Sequence, residues 1–161
     1  MIMAVAAIGF TSCGKDGAKG GEAPEAAEVV GTETEGDNYK FTLPEGFTGE
    51  NNVLGYQASC EADKAELNVA FNESGPTDSQ LQEAMGNWTM MKKNNGETVD
   101  EAKVDGNIAT LRSVKDGTVN EFFLVVLDGT KGVSGTLSFP EAAAEKYEAL
   151  LMPFLKSFKL K

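Results

Sequence analysis

Cys13 is the first side chain placed where chemistry would find it. It follows a nine-residue apolar run, Ile2–Phe10, and two small residues, Thr11 and Ser12. As a helix that run would span roughly 14 Å, about half the roughly 30 Å of hydrocarbon a membrane-crossing helix must fill, so it reads as an export address. Small residues ahead of a cysteine suit a signal peptidase subsite, and the thiolate supplies the atom to which a diacylglycerol is attached. Residues 1–12 are expected to be a bacterial lipoprotein signal peptide, truncated at its basic start, and Cys13 the lipidation site. Lys15-Asp16 just beyond bears on sorting between membranes, and the outer membrane is expected.

Other reactive groups are sparse. The chain has no histidine, which removes the commonest general base and metal ligand, and shows neither a nucleophile elbow nor a phosphate-cradling loop. Glu61-Ala62-Asp63 and Asp100-Glu101 pair carboxylates, but among 25 acidic residues such neighbours are inevitable and read as a solvated surface. Calcium at the first pair lacks the twelve-residue ligand loop. Cys60, with no cationic cluster around it in sequence, reads as a small buried hydrophobe on a strand. No catalytic residue, metal ligand or cofactor is expected. The formal charge of −11 argues against nucleic acid and against electrostatic docking on anionic headgroups, so membrane attachment is expected to come from the lipid.

Three segments must position these groups. After the signal, residues 13–37 hold the lipidated cysteine and a glycine-rich acidic stretch; residues 14–37 carry seven acidic and two basic side chains. Such a stretch buries too little apolar surface to offset its ordering entropy and is expected to be a disordered tether. Residues 38–161 have the length of one domain.

Within that domain, Tyr39, Phe41 and Leu43 alternate with polar residues as a half-buried strand, ended by Pro44-Glu45-Gly46. Residues 52–59 and 65–72 read as a hairpin, with Leu67, Val69 and Phe71 on the inward face. Thr77 and Gln80 have capping-box spacing ahead of an amphipathic helix whose stripe is Leu81, Met85, Trp88 and Met91, with Met90 off the stripe and exposed. Three aspartate–glycine pairs, beginning at Asp105, Asp116 and Asp128, then separate strands over 98–104, 107–114, 118–127 and 132–138. The unbroken apolar run Phe122–Leu127 suits a central strand covered on both faces, so the sheet is expected to lie between helices. Ser138 and Glu141 suggest a second capping box, before a helix with the stripe Ala143, Tyr147, Leu150 and Phe154. Pro153 is expected to kink or stop that helix, and Phe158 and Leu160 suggest a short terminal strand.

The order strand, hairpin, helix, meander, long helix resembles the PsbP-like superfamily, including its DcrB-like lipoproteins. The residues that carry the resemblance are Phe41-Thr42-Leu43-Pro44-Glu45-Gly46-Phe47, Val104-Asp105-Gly106-Asn107-Ile108-Ala109, and Tyr147 through Phe158. It implies an α+β fold, an antiparallel β-sheet meander flanked by helices in a PsbP-like α/β/α sandwich. It also implies accessory or assembly factors in which catalysis is rare, and it transfers no functional residue.

These readings converge on a lipid-anchored cell-envelope accessory or interaction protein without catalytic activity, held to the membrane by its anchor and paired with an envelope protein partner. The alternative is a binding module for a small apolar or glycan ligand. Trp88, Tyr39, Tyr56 and Tyr147 would stack on a sugar, and Met85, Met90 and Met91 would adapt to a lipid chain, although stripes at helical spacing are more often core.

Overall fold

The computed structural model describes residues 28–161. The expected signal peptide, Cys13 and the acidic stretch up to residue 27 lie outside the described residues. The first described element corrects the expected end of the tether. Gly31–Glu35 (β1) is a strand, paired antiparallel with Tyr39–Pro44 (β2) from Gly31 opposite Pro44 to Glu35 opposite Lys40. Composition hides it because β1 is exposed and is held by backbone pairing. A Cβ at Gly31 would run into the Leu43 carbonyl oxygen, so this close approach requires glycine.

Thr48–Asn52 (β3) is a further strand, and the strand expected over 52–59 begins only at Gly55, because Val53-Leu54 form the turn; every residue of β3 is exposed. It returns through Val53-Leu54 into Gly55–Cys60 (β4), which pairs with Ala65–Asn72 (β5). Beyond Asn72 the chain makes a 3-10 turn at Asp78–Gln80 and enters Leu81–Asn94 (α1). The reach-back half of the expected capping box is present, with the Thr77 backbone N–H donating to Gln80 Oε1 at 3.0 Å.

The meander follows as read: Thr98–Asp105 (β6), Ile108–Lys115 (β7), Thr118–Asp128 (β8) and Lys131–Pro140 (β9). At Asp116-Gly117 both residues are left-handed, with φ of 52° and 76°, as a tight primed turn needs. The expected capping box at Ser138 does not form. Ser138 belongs to β9 and donates to Asn120 Oδ1 at 2.8 Å, and Pro140 leads into a 3-10 turn before Ala144–Lys156 (α2). The helix runs through Pro153 to Lys156, so no early stop occurs there. Lys159–Leu160 (β10) closes on β2.

The fold is α+β: a seven-stranded antiparallel sheet in the order β3-β4-β5-β9-β8-β7-β6, and a three-stranded sheet, β1-β2-β10. β8 is covered on both faces, as its apolar run requires. Phe123 and Val125 face a core built with α2 and β2, whereas Leu124 and Val126 face a smaller one under α1. The larger core is aromatic: Phe41, Phe154 and Phe158 meet at centroid separations of 4.9–6.0 Å.

Candidate functional site

Each reactive group that sequence singled out can be placed, apart from Cys13. Cys60 ends β4, buried as expected, with its Sγ 3.7 Å from Asp63 Oδ2. Asp63 also accepts from the Tyr147 hydroxyl at 2.9 Å and pairs with Lys146, so the β4–β5 turn clasps the first turns of α2. Lys146, and after it Tyr147, hold the Asp63 carboxyl below the usual carboxylate range. That carboxylate is committed to an ammonium and a phenol, and so fastens the turn to the helix. Among the described residues no group of three His, Cys, Asp or Glu could hold a metal ion.

Asp100 lies on the edge strand β6, as read, but is not merely solvated. Arg112 on β7 reaches Asp100 Oδ2 at 3.5 Å and Glu121 Oε1 at 3.4 Å, and pairs with Glu148 on α2. Glu121 is 5% exposed, and burial pushes its carboxyl above the usual range against the pull of Arg112. One guanidinium thus ties the edge strand β6, the inner strand β8 and the helix α2 together. Glu121 carried no sequence signal beyond its place before an apolar run.

The aromatic candidates for sugar stacking are mostly in the core. Tyr39, Tyr56 and Tyr147 are buried, and Trp88 is half-buried, packing edge-on against Phe122 at 6.1 Å. Met85 is buried and Met90 is 63% exposed, as the stripe predicted. Met91 is a correction: it is 49% exposed. Counting from Leu81 and Met85 at 3.6 residues per turn, the next inward positions are Trp88 and Lys92. Lys92 indeed lies inward, its ammonium 3.6 Å from the Phe122 centroid and 2.9 Å from Glu97 Oε1.

Among the cavities of the described residues, one with a largely aliphatic lining is a groove of about 520 Å³ beside α2. Its floor and walls come from Val29, Val30, Pro44, Ala149, Leu150 and Pro153, with Glu28, Glu45 and Lys146 at the margins. The Glu45 N–H donates to the Val30 carbonyl at 3.0 Å, fixing the incoming chain as one wall. An adjoining cavity of about 370 Å³ shares Glu28, Val29 and Pro153 and adds Lys156 and Lys159. The groove was missed in sequence because Val29 and Val30 fell inside the acidic stretch. A signal existed: they are the only branched aliphatics between Cys13 and Asp37. Leu150, read as core, is half-buried and opens onto the groove, while Leu151 takes the buried position.

No family model matches the chain, and no curated protein matches it. Among solved structures, the chain is similar to cyanobacterial PsbP (CyanoP) from Synechocystis sp. PCC 6803, with a TM-score of 0.53 and 18% identity, over 90% of this chain and 98% of that one. A protein from Bacteroides thetaiotaomicron VPI-5482 aligns with a TM-score of 0.45 and 9% identity, over 76% of this chain and 45% of that one. The likeness to CyanoP supports the fold described above.

Proposed function

We infer that this protein is a lipid-anchored accessory or interaction protein of a bacterial cell envelope, acylated at Cys13, working through a protein partner rather than through catalysis. The observation that carries the reading is the order of segments: an apolar run, a cysteine, an acidic stretch, then a PsbP-like domain. The PsbP-like resemblance supports an accessory role. The outer membrane is the proposed location.

Two or three acyl chains on Cys13 would anchor the molecule stably, where a single chain holds only marginally. Mass spectrometry of cell-derived protein tests this. The expected result is a chain beginning at an acylated Cys13, and a free thiol with residues 1–12 still attached overturns the reading. Mild-detergent extraction should also recover an envelope protein in constant ratio with this one; recovery of the protein alone in every detergent argues against the partner.

The groove favours one part of the alternative reading, a small apolar ligand. Its volume lies within the usual range for such sites, and its lining is largely aliphatic. A rise in melting temperature on adding fatty acids would support it, since a ligand bound only to the native state stabilises that state.

A further inference from the structure

We propose that the open edge of β3 takes on a strand from a partner protein: an extended segment with a lysine or arginine opposite Glu50 and an aliphatic residue beside Val53-Leu54. The proposal deepens the partner reading and rests on it for the existence of such a protein. Its first support is the backbone. β3 ends the seven-stranded sheet, with β4 on one side and, among the described residues, no backbone hydrogen bond on the other. Asn52 and Gly55 face each other across a two-residue turn, which makes them a hydrogen-bonded pair. Alternation along the strand then turns the N–H and C=O groups of Thr48 and Glu50 toward β4, and those of Gly49 and Asn51 outward. Two donors and two acceptors in one row are what an extended chain satisfies together.

Charge selects the kind of strand. An antiparallel newcomer would set a side chain opposite Glu50 in a non-hydrogen-bonded pair, the closer of the two kinds. Glu50 is exposed and forms no ion pair among the described residues, and the same holds for Glu66 on the same face of the sheet. The hollow of about 480 Å³ between them is lined by Thr48, Gln57, Ser59 and Asn68, with no cation. Lys64, in the β4–β5 turn, is accompanied there by Glu61, and Lys161 is already paired with Glu35 at 2.7 Å. The face behind this edge is therefore acidic, and a basic strand complements it. A second copy fits less well. The fully overlapped antiparallel register of two β3 strands sets Glu50 against Glu50, and each chain carries −11.

The third support stands at the hairpin end of the edge. Val53 is 101% exposed and Leu54 76%, two adjacent aliphatic side chains with nothing over them. An aliphatic residue of the added strand would cover them where the pairing begins.

Hydrogen exchange read by NMR on the full chain tests this, with synthetic peptides that alternate threonine and valine around one central residue. A lysine-centred peptide at millimolar concentration should slow exchange at the Gly49 and Asn51 amides and leave the β6 amides unchanged. The glutamate-centred peptide should bind about fivefold more weakly, and Glu50→Lys should reverse that preference without lowering the melting temperature. A lysine-centred peptide N-methylated throughout keeps its charge and should protect neither amide.

No protection at Gly49 and Asn51, equal binding of the two central residues, protection by the methylated peptide, or protection at β6 instead each overturns the proposal. So does protection that grows with protein concentration in the absence of peptide, which would assign the edge to a second copy. The peptides require neither an acylated Cys13 nor the natural partner. Recovery of the protein alone from every detergent therefore sinks the partner reading by itself, whereas a silent edge beside a recovered partner sinks only this proposal.

Discussion

The two helices lie on opposite faces of one sheet and are held there by different means. α2 buries Tyr147, Leu151, Phe154 and Leu155 in the large aromatic core, and is clasped by Asp63 at its start and by Arg112 through Glu148. α1 fully buries only Leu81 and Met85, completes its contact with half-buried Trp88 and the stem of Lys92, and leaves Met90 and Met91 in solvent. The difference teaches which helix defines the domain. α2 joins the large sheet to the small one, whereas α1 caps one end of a face whose other half lies open over β3–β5.

The comparison can be broken most directly at Phe154. Phe154→Ala should cost about 3–5 kcal/mol in urea unfolding, since truncating a fully buried aromatic leaves a cavity among rings that cannot collapse around it. Met85→Ala should cost less, about 2–3 kcal/mol, because the thinner α1 layer can settle. An equal or larger loss at Met85 would reverse the ranking of the two helices.

Next is Lys92→Met, which keeps the stem over Phe122 and removes the charge from Glu97. Glu97 then retains only the Ser113 hydroxyl, at 2.6 Å, and the expected cost is about 1–2 kcal/mol at neutral pH. Burial would raise the Glu97 carboxyl, but Ser113 and Lys92 together hold it below the usual range. Its stabilising contribution is therefore present above the unfolded pKa and drains away as pH falls through the folded one. The Lys92→Met deficit should shrink below pH 4.5, the ordinary value for a glutamate.

On the α2 side the sign reverses. The Glu121 carboxyl is raised, so its favourable contribution is complete below the unfolded pKa and is lost as pH rises through the folded one. Glu121→Gln should gain stability relative to the unaltered protein as pH climbs from 4.5 toward neutrality, read from melting curves across that window. A constant offset would mean that Arg112 fully compensates the buried charge. The smallest effect belongs to Met90→Ser, within about 0.5 kcal/mol, because that side chain touches little.

Apolar pattern made most of the large sheet and both helices legible, because β2, β5, β7 and β8 bury what their sequences alternate or concentrate. β1 and β3 escaped for one reason: their residues are polar and mostly exposed, and backbone pairing with the strand that follows, rather than any buried apolar face, makes them strands. Ser138 misled because capping-box spacing is local, whereas Asn120 on the adjacent strand captured its hydroxyl. Met91 misled because hydrophobicity was counted by residue type, and the stem of Lys92 does the packing. The candidate groove was invisible for a related reason. It joins Val29 and Val30 to Pro44 and to α2, segments that no spacing rule connects.

The bare rim at β3 has a consequence for handling the protein. At the far rim, β6 carries Asp100, Glu101, Lys103 and Asp105 and is bent by a bulge between Val99 and Glu101, so a second molecule finds no straight, neutral seam there. β3 offers Thr48-Gly49-Glu50-Asn51-Asn52 beside the uncovered aliphatic pair Val53-Leu54, with Glu50 as its sole charged guard. Crowded samples should therefore zip together along this rim first, and neutralising that one guard should hasten the clumping.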